Sequence, residues 1–571
     1  MRARAILRIR IITTFVLLLA LGLLVRAYFL QIPGHAFYIA EAKEQYVHTA
    51  QNIFNRGTVS FTTKTGEQMS AAAIRSGYLL AVNPSRIGNP EETYAVIEEY
   101  VDLDKETFLH RATLPERTYV EIDDQVTTEE ADFIVEQDLS GVMLYRNQWR
   151  YYPGDDLAAQ TIGFTGFVDG EQTVPVGLYG LERYYEPILT RDNESLSVNF
   201  FAEIFSNLGS LVVNNSDERR GDVITSMEPT VTRMLEKELY SVQDKYGSKL
   251  SGGIVMDPQT GEIFAMSVVP GYNNNDRSGV GIEQFRNPLV QDVYEFGSII
   301  KPLTMAAGID SGVVSPSTTY YDAGHLTLDG YTISNYDGRG RGTVPMQQIL
   351  SQSLNTGVSF IVDTMGTSKF RDYFLGLQIG NKTGIDLPGE TEGLVSNLHS
   401  PRKIEYATAS YGQGIATTPI GTIRALASLA SGGKVVTPHL ARSIVYENGE
   451  VETIDPPEPK QVFSSETTET VSRMLVTVVD EALAGGNVAL PHYTVAAKTG
   501  TAQMADPNGG YYDDRYFHSF FGYFPAYDPR FIVLLYTVEP KGVRYASETL
   551  TDPFMDITSF LLNYYQVPPD R

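Results

Sequence analysis

Three short motifs lie far apart along this chain, and none of them can act alone. They are Ser298-Ile299-Ile300-Lys301, Ser353-Leu354-Asn355 and Lys498-Thr499-Gly500-Thr501, in that order. A serine hydroxyl is a poor nucleophile until a base takes its proton. A lysine three residues on can be that base, because residues i and i+3 share one face of a helix. A serine and an asparagine two apart project to one side of an extended or loop backbone, where the hydroxyl can relay a proton and the amide can hold a backbone group. A lysine beside a threonine hydroxyl can hold a carboxylate. For these pieces to serve one reaction, a helix start, a loop and a strand must converge on one cleft.

The local sequence fits each part. Gly297 precedes the nucleophile and Pro302 follows Lys301. Proline is tolerated in a first helical turn, so Ser298 is expected at a helix N-terminus, where unpaired N–H groups favour developing negative charge. No histidine stands nearby in sequence. Lys301 can serve as base if desolvation and the charge of Lys498 depress its pKa. Lys498 follows the apolar, β-favouring run Tyr493-Thr-Val-Ala-Ala497, which predicts a strand over 493–504. Gly500, lacking a side chain, is expected to let a substrate backbone lie along that strand. A second copy, Lys382-Thr383-Gly384, sits in the Gly- and Pro-rich stretch 379–389. It is assigned as a solvated loop.

Composition narrows the remaining possibilities. The chain has 571 residues, 42% hydrophobic and 20% charged, with a net charge of −25. That charge argues against a nucleic-acid partner and against a broad anionic-lipid surface. There is no cysteine, which excludes disulfides, thiolate nucleophiles and cysteine metal sites. No H-E-x-x-H and no G-x-S-x-G is present, so neither a zinc hydrolase nor an α/β-hydrolase elbow is supported. No metal or cofactor is expected.

Arg2, Arg4, Arg8 and Arg10 precede an apolar run over residues 11–30. As a helix this run rises about 30 Å, enough to span a bilayer. The expected topology is a cytoplasmic tail at 1–10, an uncleaved membrane anchor at 11–30 and everything beyond outside the cell membrane. Residues 31–50 are expected to continue outward as an amphipathic helix. The stretch 51–222 alternates β-rich runs, turns and helical patches, without a catalytic constellation. Residues 287–440 are expected to be mostly helical with long loops. Strands are expected on either side of this middle: around 253–266, at 493–504, at about 517–525 and at Phe531–Val538. One α+β domain follows, its sheet built from both chain ends.

Further segments align with the same motifs: Arg56-Gly57, Tyr152-Pro153, Gly180-Leu181-Glu182, Gly253–Met266, Tyr294-Glu-Phe-Gly-Ser-Ile-Ile-Lys-Pro302, Thr383-Gly-Ile-Asp-Leu-Pro-Gly-Glu390, Tyr411-Gly-Gln-Gly414 and Lys498-Thr-Gly-Thr-Ala-Gln503. In these the chain resembles the class B, monofunctional penicillin-binding proteins, peptidoglycan D,D-transpeptidases, over most of its length. The resemblance implies a transmembrane helix, an elongated pedestal at 31–222 and a transpeptidase domain at 223–565 with a short tail at 566–571. That domain would have the penicillin-binding and serine β-lactamase-like fold, an antiparallel sheet flanked by helices.

By resemblance Ser298 is the acyl-ester nucleophile, Lys301 its base, Ser353 and Asn355 the second motif, and Lys498 the third with Thr499, Gly500 and Thr501 binding substrate. The N–H groups of Ser298 and Thr501 would form the oxyanion hole. Implied partners are stem peptides (a D-Ala-D-Ala donor and an amine acceptor), β-lactams and a membrane-embedded SEDS-type glycosyltransferase. The segments Gly522-Tyr-Phe-Pro-Ala526 and Glu539-Pro-Lys-Gly542 resemble the septal type more than the elongation type. The family's usual proline and glycine are replaced by Phe296 and Ala497. A β-lactamase shares the motifs, but no E-x-x-L-N pattern is present to hold a deacylating water. A D,D-carboxypeptidase differs only in its acceptor, and a non-catalytic penicillin sensor is opposed by the intact motifs.

Overall fold

The structure is a computed structural model that describes residues 55–115, 117–168, 175–191 and 219–571. The tail, the anchor and the helix expected within residues 1–50 lie outside the described residues. Among the described residues no helix is long and apolar enough to cross a membrane.

The chain divides into two compact units, and no single cut near residue 222 separates them. One contains Ile74–Trp149; the other contains Arg56–Ala73, Arg150–Arg191 and residues 219–571. In the first, Tyr78–Val82 pairs antiparallel with Val120–Val126. Helices Pro90–Ile97, Lys105–Ala112 and Thr128–Glu136 accompany the strands, each opened by a side-chain cap from Asn89, Asp104 or Thr127. Such caps satisfy N–H groups that a helix start leaves orphaned. Leu80, Val82, Tyr94, Phe108, Val126 and Ile134 form its core.

The second unit is built on a five-stranded antiparallel sheet. Its elements begin with helix α1 (Pro229–Tyr246), strand β1 (Leu250–Met256) and strand β2 (Ile263–Val269). Helices α2 (Lys301–Asp310), α3 (Met346–Ser351), α4 (Asn355–Met365), α5 (Pro419–Ala430) and α6 (Ser465–Thr477) follow. The chain closes with β3 (Ala496–Ala505), β4 (Tyr511–Phe524), β5 (Phe531–Val538) and α7 (Thr551–Tyr564). The strand order is β3-β4-β5-β1-β2, so both ends of this part of the chain meet in one sheet.

Alternation within the strands shows why helices cover both faces. Along β5, Val533 and Leu535 join one apolar cluster with Val231, Leu235 and Leu239 of α1 and Phe554 and Leu561 of α7. Ile532, Leu534 and Tyr536 join the other, with Ile423 and Leu426 of α5 and Val471 and Leu475 of α6. A strand buried on both faces reads as a continuous apolar run, and Phe-Ile-Val-Leu-Leu-Tyr-Thr-Val is fully buried. All twelve residues of helix α5 are buried.

Two small hairpins interrupt the middle that sequence periodicity assigns to helices and loops. Thr319–Asp322 pairs with Gly342–Pro345, and His325–Leu328 with Tyr331–Ser334. Four-residue strands offer too few alternations for periodicity to register.

The segments around Gly57, Pro153 and Gly180 surround a buried ionic cluster. Glu182 is wholly buried and accepts from Arg56 Nε at 2.7 Å and Arg150 Nε at 2.6 Å. Arg56 also pairs with Glu186 at 2.7 Å. Removing one member of such a group strands a buried charge, at about 3–5 kcal/mol.

Candidate active site

The nucleophile turn and the clamp strand are fastened to each other by backbone contacts. Ser298 lies in a 3-10 turn, Gly297–Ile300, that runs directly into α2. Gly297 has φ +64°, and a Cβ there would stand 3.0 Å from the Thr501 carbonyl oxygen. Gly500, on the facing strand, leaves only 2.5 Å between a hypothetical Cβ and the Phe296 carbonyl oxygen. Its missing side chain therefore points at the nucleophile turn, and what it makes room for is that turn rather than a substrate backbone. Ser519 on β4 completes the junction by donating its hydroxyl to the Phe296 carbonyl at 2.8 Å.

Lys301 sits beneath the cleft floor with no exposed surface. Its Nζ donates to the Ser353 carbonyl at 2.6 Å and to Ser353 Oγ at 3.1 Å. Burial, and next the positive charge of Lys498, push its pKa well below the usual lysine range. Disfavouring the charged form makes the amine lone pair easier to expose, which is what a general base for Ser298 requires.

Ser353 and Asn355 both line the cleft, though not through an extended segment. Ser353 has φ +54° and joins α3 to α4 in left-handed backbone, a conformation costing a non-glycine residue roughly 1–2 kcal/mol. Asn355 is the first residue of α4, and its Nδ2 donates to the Ser334 carbonyl of the inner hairpin at 2.9 Å. That hairpin is held in turn by Asp322, which is 1% exposed. Asp322 accepts from both Asn335 Nδ2 and Thr356 Oγ1, at 3.0 and 2.8 Å, and from the backbone N–H of Gly324 and Arg341. Nothing in sequence spacing links residues 322, 335 and 355; only the hairpin brings them together.

Lys498 is 4% exposed, lines the cleft and has its pKa lowered to about 8 by burial. It therefore keeps a substantial positive charge at neutral pH. Thr499 and Thr501 line the same wall. The Thr501 hydroxyl is already engaged, accepting from the Ala546 N–H at 3.0 Å. That contact docks the loop after β5, whose residues Arg544, Tyr545 and Ser547 form part of the cleft. His518, paired opposite Thr501 in register, braces the same loop. Its Nε2 donates to the Arg544 carbonyl at 3.0 Å, and its Nδ1 lies 3.0 Å from Thr549 Oγ1. Burial lowers the His518 pKa to about 4, so the ring is neutral near pH 7. Sequence reasoning missed this wall, since it depends on a long-range contact between exposed-looking loop residues and a strand.

The whole cleft encloses about 660 Å³, with Ser298, Ser353, Asn355, Lys498, Thr499 and Thr501 on its surface. Tyr336 of the inner hairpin and Tyr545 of the opposite wall meet edge to face, ring centroids 5.9 Å apart. Phe296, standing where the family usually has proline, is buried against Phe517 at 5.1 Å between centroids, away from the cleft. Ala497 lines the cleft. The second Lys-Thr-Gly copy lies elsewhere. Thr383 and the Gly384 N–H bind the Glu390 carboxylate, and the Lys382 carbonyl accepts from Arg424. Lys382 itself is exposed. Among the described residues no cluster of metal-ligating side chains occurs.

Comparison with known proteins agrees with this geometry. Residues 252–558 match the penicillin-binding protein transpeptidase domain, and residues 65–200 the penicillin-binding protein dimerisation domain. Stage V sporulation protein D of Bacillus subtilis is 29% identical over 533 residues, covering 90% of this chain and 80% of that protein. Peptidoglycan D,D-transpeptidase FtsI of Escherichia coli is 27% identical over 460 residues, covering 80% of this chain and 74% of its own length. The crystal structure of penicillin-binding protein 3 from Mycobacterium tuberculosis superposes with a TM-score of 0.64 at 25% identity, covering 74% of this chain and 92% of that one. Penicillin-binding protein 2X from Streptococcus thermophilus gives a TM-score of 0.71 at 19% identity, covering 91% of this chain and 81% of that one. Matched over more than half its length by the transpeptidase domain, with all three motifs gathered in one cleft, this chain belongs to the penicillin-binding protein transpeptidase family.

Proposed function

We propose that the chain is a class B peptidoglycan D,D-transpeptidase of the septal type, anchored in the cell membrane by residues 11–30. The observation that carries the reaction is the pairing of a fully buried Lys301 with Ser353 directly behind the nucleophile turn. In this reading the Ser298 hydroxyl attacks the penultimate carbonyl of a D-Ala-D-Ala stem peptide while the Lys301 amine takes its proton. The N–H groups of Ser298 and Thr501 hold the oxyanion. The C–N bond breaks, D-alanine leaves with the proton, and an ester on Ser298 remains. An acceptor amine then attacks the ester, giving the cross-linking amide and returning the hydroxyl. Lys498 and Thr499 hold the terminal carboxylate. A β-lactam enters by the same attack and leaves its opened ring tethered.

No carboxylate is among the described residues that line the cleft, which favours a long-lived ester over rapid hydrolysis. The septal role rests on the tail segments and on the likeness to FtsI. The SEDS-type glycosyltransferase is the proposed partner of the membrane-proximal part. The test is intact-mass spectrometry after penicillin treatment and removal of free drug. An adduct on Ser298 lasting many minutes is expected. Rapid return to the unmodified mass, with excess hydrolysed drug, would move the chain to the lactamase reading.

A further inference from the structure

The cleft inverts the charge of the molecule around it. The chain carries a net charge of −25, yet no aspartate or glutamate is among the described residues lining the cleft, and its two cations are Lys498 and Arg544. Lys498 is accounted for by the terminal carboxylate of the donor. Arg544 is not accounted for. It is exposed, its guanidinium lies 5.6 Å from the Tyr545 ring centroid, and it pairs with no carboxylate of the described residues. Its backbone is nevertheless placed firmly, by His518 at its own carbonyl and by Thr501 two residues on.

The direction of the donor fixes what reaches it. Strand β3 is the edge of the sheet, and a peptide adds to such an edge as another strand. With its terminal carboxylate at Lys498 and Thr499 and its scissile carbonyl between Ser298 and Thr501, the donor runs from Thr499 toward Gln503. Each residue advances about 3.3 Å, so the residue before D-Ala-D-Ala passes the Thr501–Gln503 edge beneath the Arg544 loop. We propose that Arg544 is a specificity-determining residue that binds a second carboxylate, carried on the side chain of that donor residue. This rests on the transpeptidase reading above. The Tyr336–Tyr545 contact lies on the same side of the cleft.

The test compares two depsipeptide donors, acetyl-L-glutamyl-D-alanyl-D-lactate and its glutaminyl counterpart, which differ only in side-chain charge. The full chain is used, and the second-order rate of Ser298 acylation is read by intact mass. The expected result is a preference of roughly tenfold or more for the glutamyl donor, the worth of a charge-assisted hydrogen bond. That preference should weaken with salt, fall to about one in Arg544→Gln and return in part in Arg544→Lys. Equal rates for the two donors in the unmodified chain overturn the proposal, as does an Arg544→Gln loss that is uniform across both donors. Absence of acylation by either donor overturns this proposal and the transpeptidase reading together.

Discussion

The chemistry asks opposite protonation states of two lysines at the same cleft. Lys301 must be neutral to take a proton, and burial with the charge of Lys498 depresses its pKa. Lys498 must be charged to hold a carboxylate, and its pKa lies near 8. Acylation should therefore rise with pH as Lys301 deprotonates and fall as pH passes about 8 and Lys498 loses its charge. The pH profile of penicillin acylation from pH 5 to 10 checks this; a rate still climbing at pH 10 contradicts it. Ser298→Ala should abolish covalent labelling, and Lys301→Ala should slow acylation by about 10²–10⁴, the worth of a positioned base. Lys382→Ala should leave it unchanged. Gly500→Ala is the sharper test, because its Cβ meets the Phe296 carbonyl. A displaced nucleophile turn should cost about 10²-fold in acylation, with the melting temperature showing whether the fold is retained. The identities and order of Ser298, Lys301, Ser353, Asn355 and Lys498 were legible because each is a chemical type at a fixed spacing. The true office of Gly500 was not, because the atom it makes room for lies 204 positions away in sequence.

The long elements were legible and the short ones were not. β5 shows as an apolar run, and α1 by Val231, Leu235 and Leu239 at helical spacing behind Pro229. The hairpins over 319–345 escape, since each strand has four residues, only Tyr320 and Ile333 among their apolar side chains are buried in the core, and Asp322 ties the strands together. Asp322→Ala removes the acceptor for Asn335 and Thr356 at once. Each buried group left unpaired costs about 1–3 kcal/mol. The expected outcome is a lower melting temperature and slower acylation together, since Ser334 and Asn355 lose their support. Thermal denaturation alongside penicillin labelling separates this from Leu535→Ala. That core change should cost about 2–5 kcal/mol while the acylation rate of the folded protein stays near normal.

Segments 56–73 and 150–191 belong with residues 219–571 rather than with Ile74–Trp149; the ionic cluster of Arg56, Arg150 and Glu182 ties the two segments to each other, and the pairing of Val59 with Val223 and the Tyr185–Asp386 hydrogen bond tie them to the rest. Composition along the chain could not show this, because charged residues in sequence look like solvated surface until their partners are known. If residues 11–30 are the anchor, deleting residues 1–30 should give a protein that stays in solution and still labels with penicillin. A deletion product that labels only after membrane reconstitution contradicts that. The sheet also sets a timetable for synthesis. Ser251 and Thr537, hydrogen-bonded across β1 and β5, are 286 positions apart. The clamp strand β3 reaches the rest of the sheet only through β4 and β5. A ribosome that has finished Ser298 and Lys301 has therefore made a nucleophile and a base with nothing to hold them together. Nascent chains arrested before residue 538 should be blind to penicillin, and the enzyme is switched on by its own last stretch of translation.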